Sequence, residues 1–306
     1  MNPEAIIECV PNFSEGTDAA KVEKIVAATQ VEGVRLLDWS LDTAHNRSIV
    51  TLAGSPEGIV EAAVLAAGKA AELIDLTTQS SVHPRIGAAD VIPFIPVSGA
   101  SLADCAVLAR QAGLLIWRRY GIPVYFYGAA AARPDRVQLE DVRKGQFEGL
   151  RDAVRKDAAR RPDIGGPELH DTAGASAVGA RSFLIAYNAH LRQPDVTAAR
   201  AIARDIRASN GGLHGVKALG VLANGRAQVS MNITDHLSTP MPKVYARLVE
   251  LARRHGAELD DSELIGLIPR AAYEQGADWL ARIPGFDPEL KVIERRLEKP
   301  LDWNTF

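Results

Sequence analysis

The stretch RSIVTLAGSPEGIVEAAVLAAGKAAELI, Arg47 to Ile74, decides the fold class. Its opening, Arg47–Leu52, is rich in β-branched and apolar residues and reads as a strand. Ser55 then supplies a helix cap and Pro56 sits in the first turn, so Pro56–Ile74 reads as a long helix. A strand feeding directly into a long helix is the unit of α/β architecture. The pattern continues on both sides. Ala5–Val10 reads as a strand stopped by Pro11, Asp18–Gln30 as a helix, and Val34–Trp39 as a strand. Val91–Val97 follows as a strand that Pro93 and Pro96 push toward an edge or a break. Ser101–Tyr120 reads as a helix, Val124–Tyr127 as a short strand, and Gln138–Arg155 as helical turns.

Asp157–Gly179 carries Pro162, Gly165, Gly166, Pro167, Gly174 and Gly179 without a period, and reads as a long functional loop. After it the alternation restarts. Ser182–Tyr187 reads as a strand and Asp195–Ala208 as a helix. Val216–Leu222 and Gln228–Ile233 form a hairpin through Ala223-Asn224-Gly225. Pro240–His255, capped by Thr239, reads as a helix, Glu263–Ile268 as a strand and Ala271–Arg282 as a helix. Val292–Leu297 suits either a helix or a strand. Each half thus begins strand, helix, strand, strand, helix, strand, the split βαβ or ferredoxin-like order. The expected fold is α/β (α+β): two ferredoxin-like subdomains, residues 1–178 and 179–306, each with a mixed sheet and helices on its outer face. A cleft or tunnel between them is the expected place for a ligand.

Composition narrows the function. The 306 residues are 47% hydrophobic and 24% charged, with a net charge of −3 and 6% aromatic. No basic excess and few aromatics argue against nucleic acid. Cys9 and Cys105 have no metal-type spacing and suit a reducing compartment. The N-terminus lacks a signal-peptide pattern, and the most apolar stretches are too short to span a bilayer. The expectation is a soluble cytoplasmic protein without membrane or nucleic-acid partners. The seven histidines show neither paired spacing nor cysteine partners, so no metal is expected.

Three segments look chemical. In Val82-His83-Pro84-Arg85-Ile86-Gly87, proline stiffens the chain after His83 and Gly87 permits a tight bend. A histidine with an ordinary pKa of about 6.5 both accepts and donates protons near neutrality. The same features also suit a loop histidine bonded to a backbone carbonyl. Asp38–Arg47 gathers carboxylates, an amide and a guanidinium. Asp38 is placed to orient an imidazole and Arg47 to grip a carboxylate, although a solvated loop with Asx turns explains the run as well. Asn12 lies at a strand end, where helix capping is the competing reading. In the second half, Gln228, Ser230 and Asn232 alternate on one strand face, which suits a polar cleft or solvent. No phosphate-binding glycine motif and no serine-hydrolase elbow is present.

These segments resemble the formiminotransferase part of the formiminotransferase-cyclodeaminase family. The matching runs are ECVPNFSEG (Glu8–Gly16), LLD (Leu36–Asp38), NRSIVTLAGSPEGIVEAA (Asn46–Ala63), HPRIGAADVIPFIPVSG (His83–Gly99) and GIPVYFYG (Gly121–Gly128). GARSFLIAYN (Gly179–Asn188), AQVSMNITD (Ala227–Asp235) and SELIGLIP (Ser262–Pro269) follow in order. The resemblance implies two α/β subdomains around a tunnel, a homodimer, and transfer of the formimino group from N-formimino-L-glutamate to N5 of tetrahydrofolate in histidine degradation. Tetrahydrofolate is then a co-substrate. It also implies His83 as the catalytic acid/base, with Arg85 beside it and Asp38, or next Asp42, orienting it. Folate is expected near the loop 163–172, with Asp163, Ile164, Gly165, Gly166, Pro167 and Gly174 in contact. Asn12, Asn46, Arg47 and Tyr127 complete the expected binding set in the first half, and Arg181, Asn188, Lys217, Gln228 and Asn232 in the second. The chain stops short of a cyclodeaminase domain, so that activity is not expected. The sequence departs from the family pattern at Asp38-Trp39-Ser40, at Ala129 and at Ala173. A 5-formyltetrahydrofolate:glutamate formyltransferase and a non-catalytic folate-binding protein are the alternatives.

Overall fold

The computed structural model describes residues 2, 4–79 and 84–303. Two compact units divide the chain: Met1–Arg181 with Pro300–Phe306, and Ser182–Lys299. The expected division after residue 178 would cut a strand, because Ser176–Ala180 is paired within the first unit.

The first unit opens with β1 (Ile6–Cys9), β2 (Asn12–Phe13), α1 (Ala19–Ala28), β3 (Val34–Asp42), β4 (Arg47–Gly54), α2 (Pro56–Leu73) and β5 (Ala89–Ser98). β3 pairs β4, β4 pairs β1 and β1 pairs β5, all antiparallel. This is the split βαβ order the alternation predicts. The helices begin within one residue of where the sequence places them, with a side-chain cap at each start. Asp18 accepts from the Lys21 N–H, Ser55 from Gly58, and Ser101 forms a reciprocal box with Asp104 at the start of α3 (Leu102–Tyr120). α2 buries Ile59, Val60, Val64 and a row of alanines, which lets it lie close to the sheet.

The chain continues through β6 (Val124–Gly128), α4 (Leu139–Val142), α5 (Gln146–Lys156) and β7 (Ser176–Ala180). β7 inserts between β5 and β6 and runs parallel to both. The end of the glycine-rich segment is therefore an interior strand, not loop. Its residues, SAVGA, are small and buried throughout, so a strand covered on both faces shows no alternation to read. Nor is β5 an edge. It lies between β1 and β7 despite Pro93 and Pro96. The reason is local. Cys9 pairs Phe94 and Asn12 pairs Val91, so Pro93 faces the interruption at Val10–Pro11, where the ladder is already broken. Pro96 sits beside a register shift in β1. The missing donors fall where no ladder bond is lost.

The second unit is β8 (Ile185–Leu191), α6 (Val196–Ile206), β9 (Val216–Ala223), β10 (Arg226–Ile233), α7 (Met241–Arg254) and β11 (Leu259–Ile265). The sheet order β11-β8-β10-β9 is again split βαβ, and its pairs are antiparallel. Asn224 and Gly225, both at positive φ, make the β9–β10 turn. Val229, Met231 and Ile233 belong to the core, which α6 supplies with Ile202 and Ile206 and α7 with Val244 and Leu248. Thr239 does not cap α7. Its hydroxyl donates to the His214 carbonyl, and Pro240 occupies the cap. The expected helix Ala271–Arg282 is two pieces, α8 (Arg270–Glu274) and α9 (Ala277–Leu280), parted at Gly276. α10 (Pro288–Lys291) and α11 (Ile293–Glu298) end the unit, so the undecided tail is helical. Among the described residues, no helix is long and apolar enough to cross a membrane.

Gly179 is fixed by its neighbour on β6. A Cβ there would lie 2.5 Å from Cδ1 of the Tyr127 ring and 2.6 Å from the Tyr127 carbonyl oxygen. Gly179→Ala is expected to destabilise the chain by about 1–3 kcal/mol, the usual cost of overpacking. Urea denaturation of both proteins measures it, and an unchanged midpoint would mean the ring moves aside freely.

Candidate functional site

His83 lies outside the described residues, but the chain on either side of it is held by a dense set of bonds. Before it, the Gln79 carbonyl accepts from Arg85 Nη2 at 2.7 Å, and its amide donates to Glu15 Oε2 at 3.2 Å. After it, the Pro84 carbonyl accepts from Arg143 Nη1 at 3.1 Å. The strip 172–175 braces both flanks. The Leu76 N–H donates to the Thr172 carbonyl, Ala175 to Ile86, and Ala88 to Ala173. Gly174 is required here: at φ +69 its missing Cβ leaves room for the Ile86 carbonyl. Ser14 closes the far side by donating to the Gly87 carbonyl at 2.7 Å.

Arg85 is one of these ties. It is 3% exposed, reaches the carbonyls of Leu76 and Gln79, pairs with Glu148 at 3.1 Å and lies over the Phe147 ring. Its guanidinium joins the carbonyls of Leu76 and Gln79 to Glu148 and Phe147 of α5. Arg85 thus stands in this structure as a brace between the end of α2 and α5.

Deeper in the same unit lies a charged cluster. Asp90, at the start of β5, is 0% exposed. One oxygen accepts the Ile86 N–H at 2.8 Å. The other accepts from Arg47 Nη1 at 3.0 Å and Arg143 Nη1 at 3.1 Å. Arg47 Nε in turn donates to Asn12 Oδ1 at 3.0 Å. Burial pushes the Asp90 carboxyl up, but Arg143, Arg47 and the Ile86 N–H outweigh it and hold the group below the usual carboxylate range. Burial lowers the Arg47 pKa against the pull of Asp90. Tyr127 is pushed up to about 12 by burial, partly offset by Arg181 and Arg143 beside it, and Arg181 also bonds its side chain. Asn12, Arg47, Tyr127 and Arg181, named from sequence, therefore meet in one place. Asp90 and Arg143 join them and were not foreseen. Asp90 could have been noticed as the lone carboxylate in the apolar run AADVIPF. Arg143 lies in an ordinary polar stretch and gave no signal.

Other named residues do supporting work. Asn46, at φ 46, accepts the Gly16 N–H at 2.8 Å and ties the 12–16 turn to β4. Asp38 is half-buried on β3, opposite Thr51. Asp42, the second choice for orienting His83, is instead bonded to His45, whose Nδ1 lies 2.6 Å from Asp42 Oδ2. Asp163 accepts the Phe126 N–H at 2.8 Å and forms a 2.6 Å ion pair with Arg136. Ile164 bridges to Val124. Gly165 and Gly166 are at positive φ, and Gly165 lies against the Trp117 ring, where a side chain would collide. Gly166-Pro167 is a cis peptide. Cys9 is fully buried and its thiol is pushed up by that burial, which removes it as a nucleophile.

In the second unit, Asn188, Gln228 and Asn232 share the polar face of the sheet, since Asn188 is paired with Ser230 and Asn232 with Lys217. Asn188 donates to Glu263 at 2.9 Å. His190 was missed from sequence. Its Nδ1 lies 2.7 Å from Asp261 and its Nε2 3.0 Å from Gln228 Oε1, and Arg226 braces Asp261 at 2.7 Å. Among the described residues, no group of three or more His, Cys, Asp or Glu gathers as metal ligands would.

Two family models match the chain. Residues 6–181 match the formiminotransferase domain, N-terminal subdomain, and residues 186–294 match the formiminotransferase domain. A glutamate formimidoyltransferase from Streptococcus pyogenes is 40% identical over 95% of this chain and 98% of its own length. One from Thermoplasma acidophilum is 41% identical over 96% and 98%. The formimidoyltransferase-cyclodeaminase of Gallus gallus is 38% identical over 90% of this chain, which spans 52% of that protein.

Asp90→Asn would leave two guanidiniums without their carboxylate. A loss of about 3–5 kcal/mol is expected, as for other broken buried pairs. Because the folded carboxyl titrates low, its contribution is present above the ordinary carboxylate pKa of about 3.9. It is lost as the pH falls through the lowered folded value. Urea melts across this acid range should show the parent losing stability more steeply than the variant. Parallel curves would contradict the linkage.

Proposed function

The chain belongs to the formiminotransferase family, and on that premise we propose that it moves the formimino group of N-formimino-L-glutamate to N5 of tetrahydrofolate, a step of histidine degradation. The observation that carries this reading is similarity along essentially the whole chain to two glutamate formimidoyltransferases, at 40% and 41% identity. The charged cluster supports it. Two guanidiniums, Arg47 and Arg143, bond the single buried carboxylate of Asp90, and Arg181 stands nearby at Tyr127. That excess of positive charge suits a donor with the two carboxylates of glutamate.

The chemistry follows from the reactants. The lone pair of N5 attacks the formimino carbon and gives a tetrahedral centre. N5 sheds a proton as it becomes bonded to carbon. The C–N bond to glutamate then breaks, and the departing nitrogen needs a proton. A single imidazole reaching both nitrogens performs both transfers, and His83 is assigned that role. Positioned acid–base catalysis contributes ~10²–10⁴-fold. Holding the two substrates together contributes a further factor through lost translational freedom. Asp38 is the candidate to orient the imidazole. Folate is assigned to the loop 163–172, with Asn188, Lys217, Gln228 and Asn232 as further contacts. A cytoplasmic homodimer completes the proposal.

Mixing the purified chain with N-formimino-L-glutamate and tetrahydrofolate should produce 5-formiminotetrahydrofolate, followed by absorbance. Transfer from 5-formyltetrahydrofolate to glutamate, with none from the formimino donor, would replace this reading. His83→Ala is expected to lower turnover by ~10²–10⁴-fold while folate binding, measured by calorimetry, stays intact. Full turnover in that variant would remove His83 from the mechanism.

A further inference from the structure

We propose that His190 is a positioning residue for folate binding: it holds the side-chain oxygen of Gln228 and leaves the NH2 of that amide to donate to an acceptor atom of the folate. The inference deepens the reading above and rests on it. Three strands build the arrangement. Tyr187, Ala189 and Leu191 of β8 and Val229, Met231 and Ile233 of β10 enter the core, so His190 and Gln228 lie on the opposite face. They stand directly across from each other in the β8–β10 register. His190 Nε2 lies 3.0 Å from Gln228 Oε1. On the other side of β8, the ladder to β11 shifts between Leu259 and Ser262, which pair with Leu191 and Ala189. Asp260 and Asp261 therefore both stand opposite His190, two residues against one, the count of a β-bulge. Asp261 meets His190 Nδ1 at 2.7 Å. Arg226 pins the bulge by donating to Asp261 at 2.7 Å and to Asp260 at 2.9 Å.

Both ring nitrogens of His190 are thereby engaged, and the ring cannot turn without giving up a bond. That rigidity passes to Gln228. A side-chain amide has two ends of nearly the same shape on a soft final torsion, so its partner decides which end faces where. Here the partner takes the oxygen, and the NH2 arm is turned away from it. Gln228 is 4% exposed, and among the described residues its oxygen is the only side-chain atom with a hydrogen bond. A nearly buried NH2 is costly without an acceptor. A ligand oxygen or ring nitrogen supplies one.

The test is a double-mutant cycle on tetrahydrofolate binding, with the parent, His190→Ala, Gln228→Ala and the double variant, each checked for folding by circular dichroism. Calorimetry reads Kd without turnover. His190→Ala should weaken binding about 3–10-fold, the scale of one hydrogen bond, and Gln228→Ala by at least as much. The double variant should bind no more weakly than Gln228→Ala, because His190 acts through that amide. His190→Leu fills the space without a ring nitrogen and should lose as much as His190→Ala; it carries the test if the alanine variant does not fold. In transfer assays the loss should appear in KM for tetrahydrofolate more than in kcat. A folded His190 variant that binds tetrahydrofolate as the parent does, or losses that multiply in the double variant, would overturn the proposal and leave the assigned reaction standing. A parent that binds no tetrahydrofolate would instead sink the folate reading, and this inference with it.

Discussion

A single buried carboxylate organises the first unit. Asp90 accepts from a backbone N–H four residues before it and from two guanidiniums that come from distant parts of the chain. Arg47 opens β4, and Arg143 closes α4. A buried carboxylate is tolerable only when its charge and lone pairs are met, so this one constrains three segments at once. The start of β5, the end of the 43–46 turn and the α4–α5 joint must all converge on it. The segment that bears His83 emerges from that convergence through Pro84 and Ile86.

The sheet around it shows how a split βαβ unit acquires such a site. The antiparallel set β3-β4-β1-β5 is complete in itself, as β11-β8-β10-β9 is in the second unit. The first unit then adds β7 and β6 in parallel beyond β5, converting β5 from an edge into an interior strand. The addition brings Tyr127 and Arg181 to the polar cluster and places the strip 172–175 against the loop that follows α2. Without it, Leu76, Ile86 and Ala88 would lose their backbone partners. The extra strands thus build the floor on which the loop stands.

Element order and most helix starts were legible because they rest on local chemistry. Ser55 caps its helix as read, Ser101, Asp18 and Asp195, read as first helical residues, prove to be the caps one residue before, and Asn224-Gly225 turns the β9–β10 hairpin. What was not legible depends on partners far along the chain. Pro93 marks an edge in isolation, but it lies opposite the break at Val10–Pro11, and only the pairing reveals that the two interruptions coincide. β7 carries no period because both its faces are covered. For the site, side-chain type was readable and side-chain partnership was not. Arg85 beside His83 has the composition of a catalytic pair, yet Glu148, Phe147 and two carbonyls claim its guanidinium. His190 looked unremarkable until Asp261 and Gln228, distant in sequence, closed on its two nitrogens.

The charge balance of the first unit's cluster has a consequence for binding. Folding has placed Arg47 and Arg143 together on the single carboxylate of Asp90, with Arg181 near them at Tyr127, and like charges held together oppose the folded state. An anionic ligand relieves that opposition, since a carboxylate entering the cluster replaces repulsion among guanidiniums with charge-assisted bonds. Part of the binding energy for any carboxylate ligand is thereby prepared in advance, because Asp90 and Asn12 already orient the guanidiniums. A neutral ligand of the same shape gains none of this. Preference for carboxylate-bearing ligands over neutral ones of the same shape therefore follows from how the cluster is assembled.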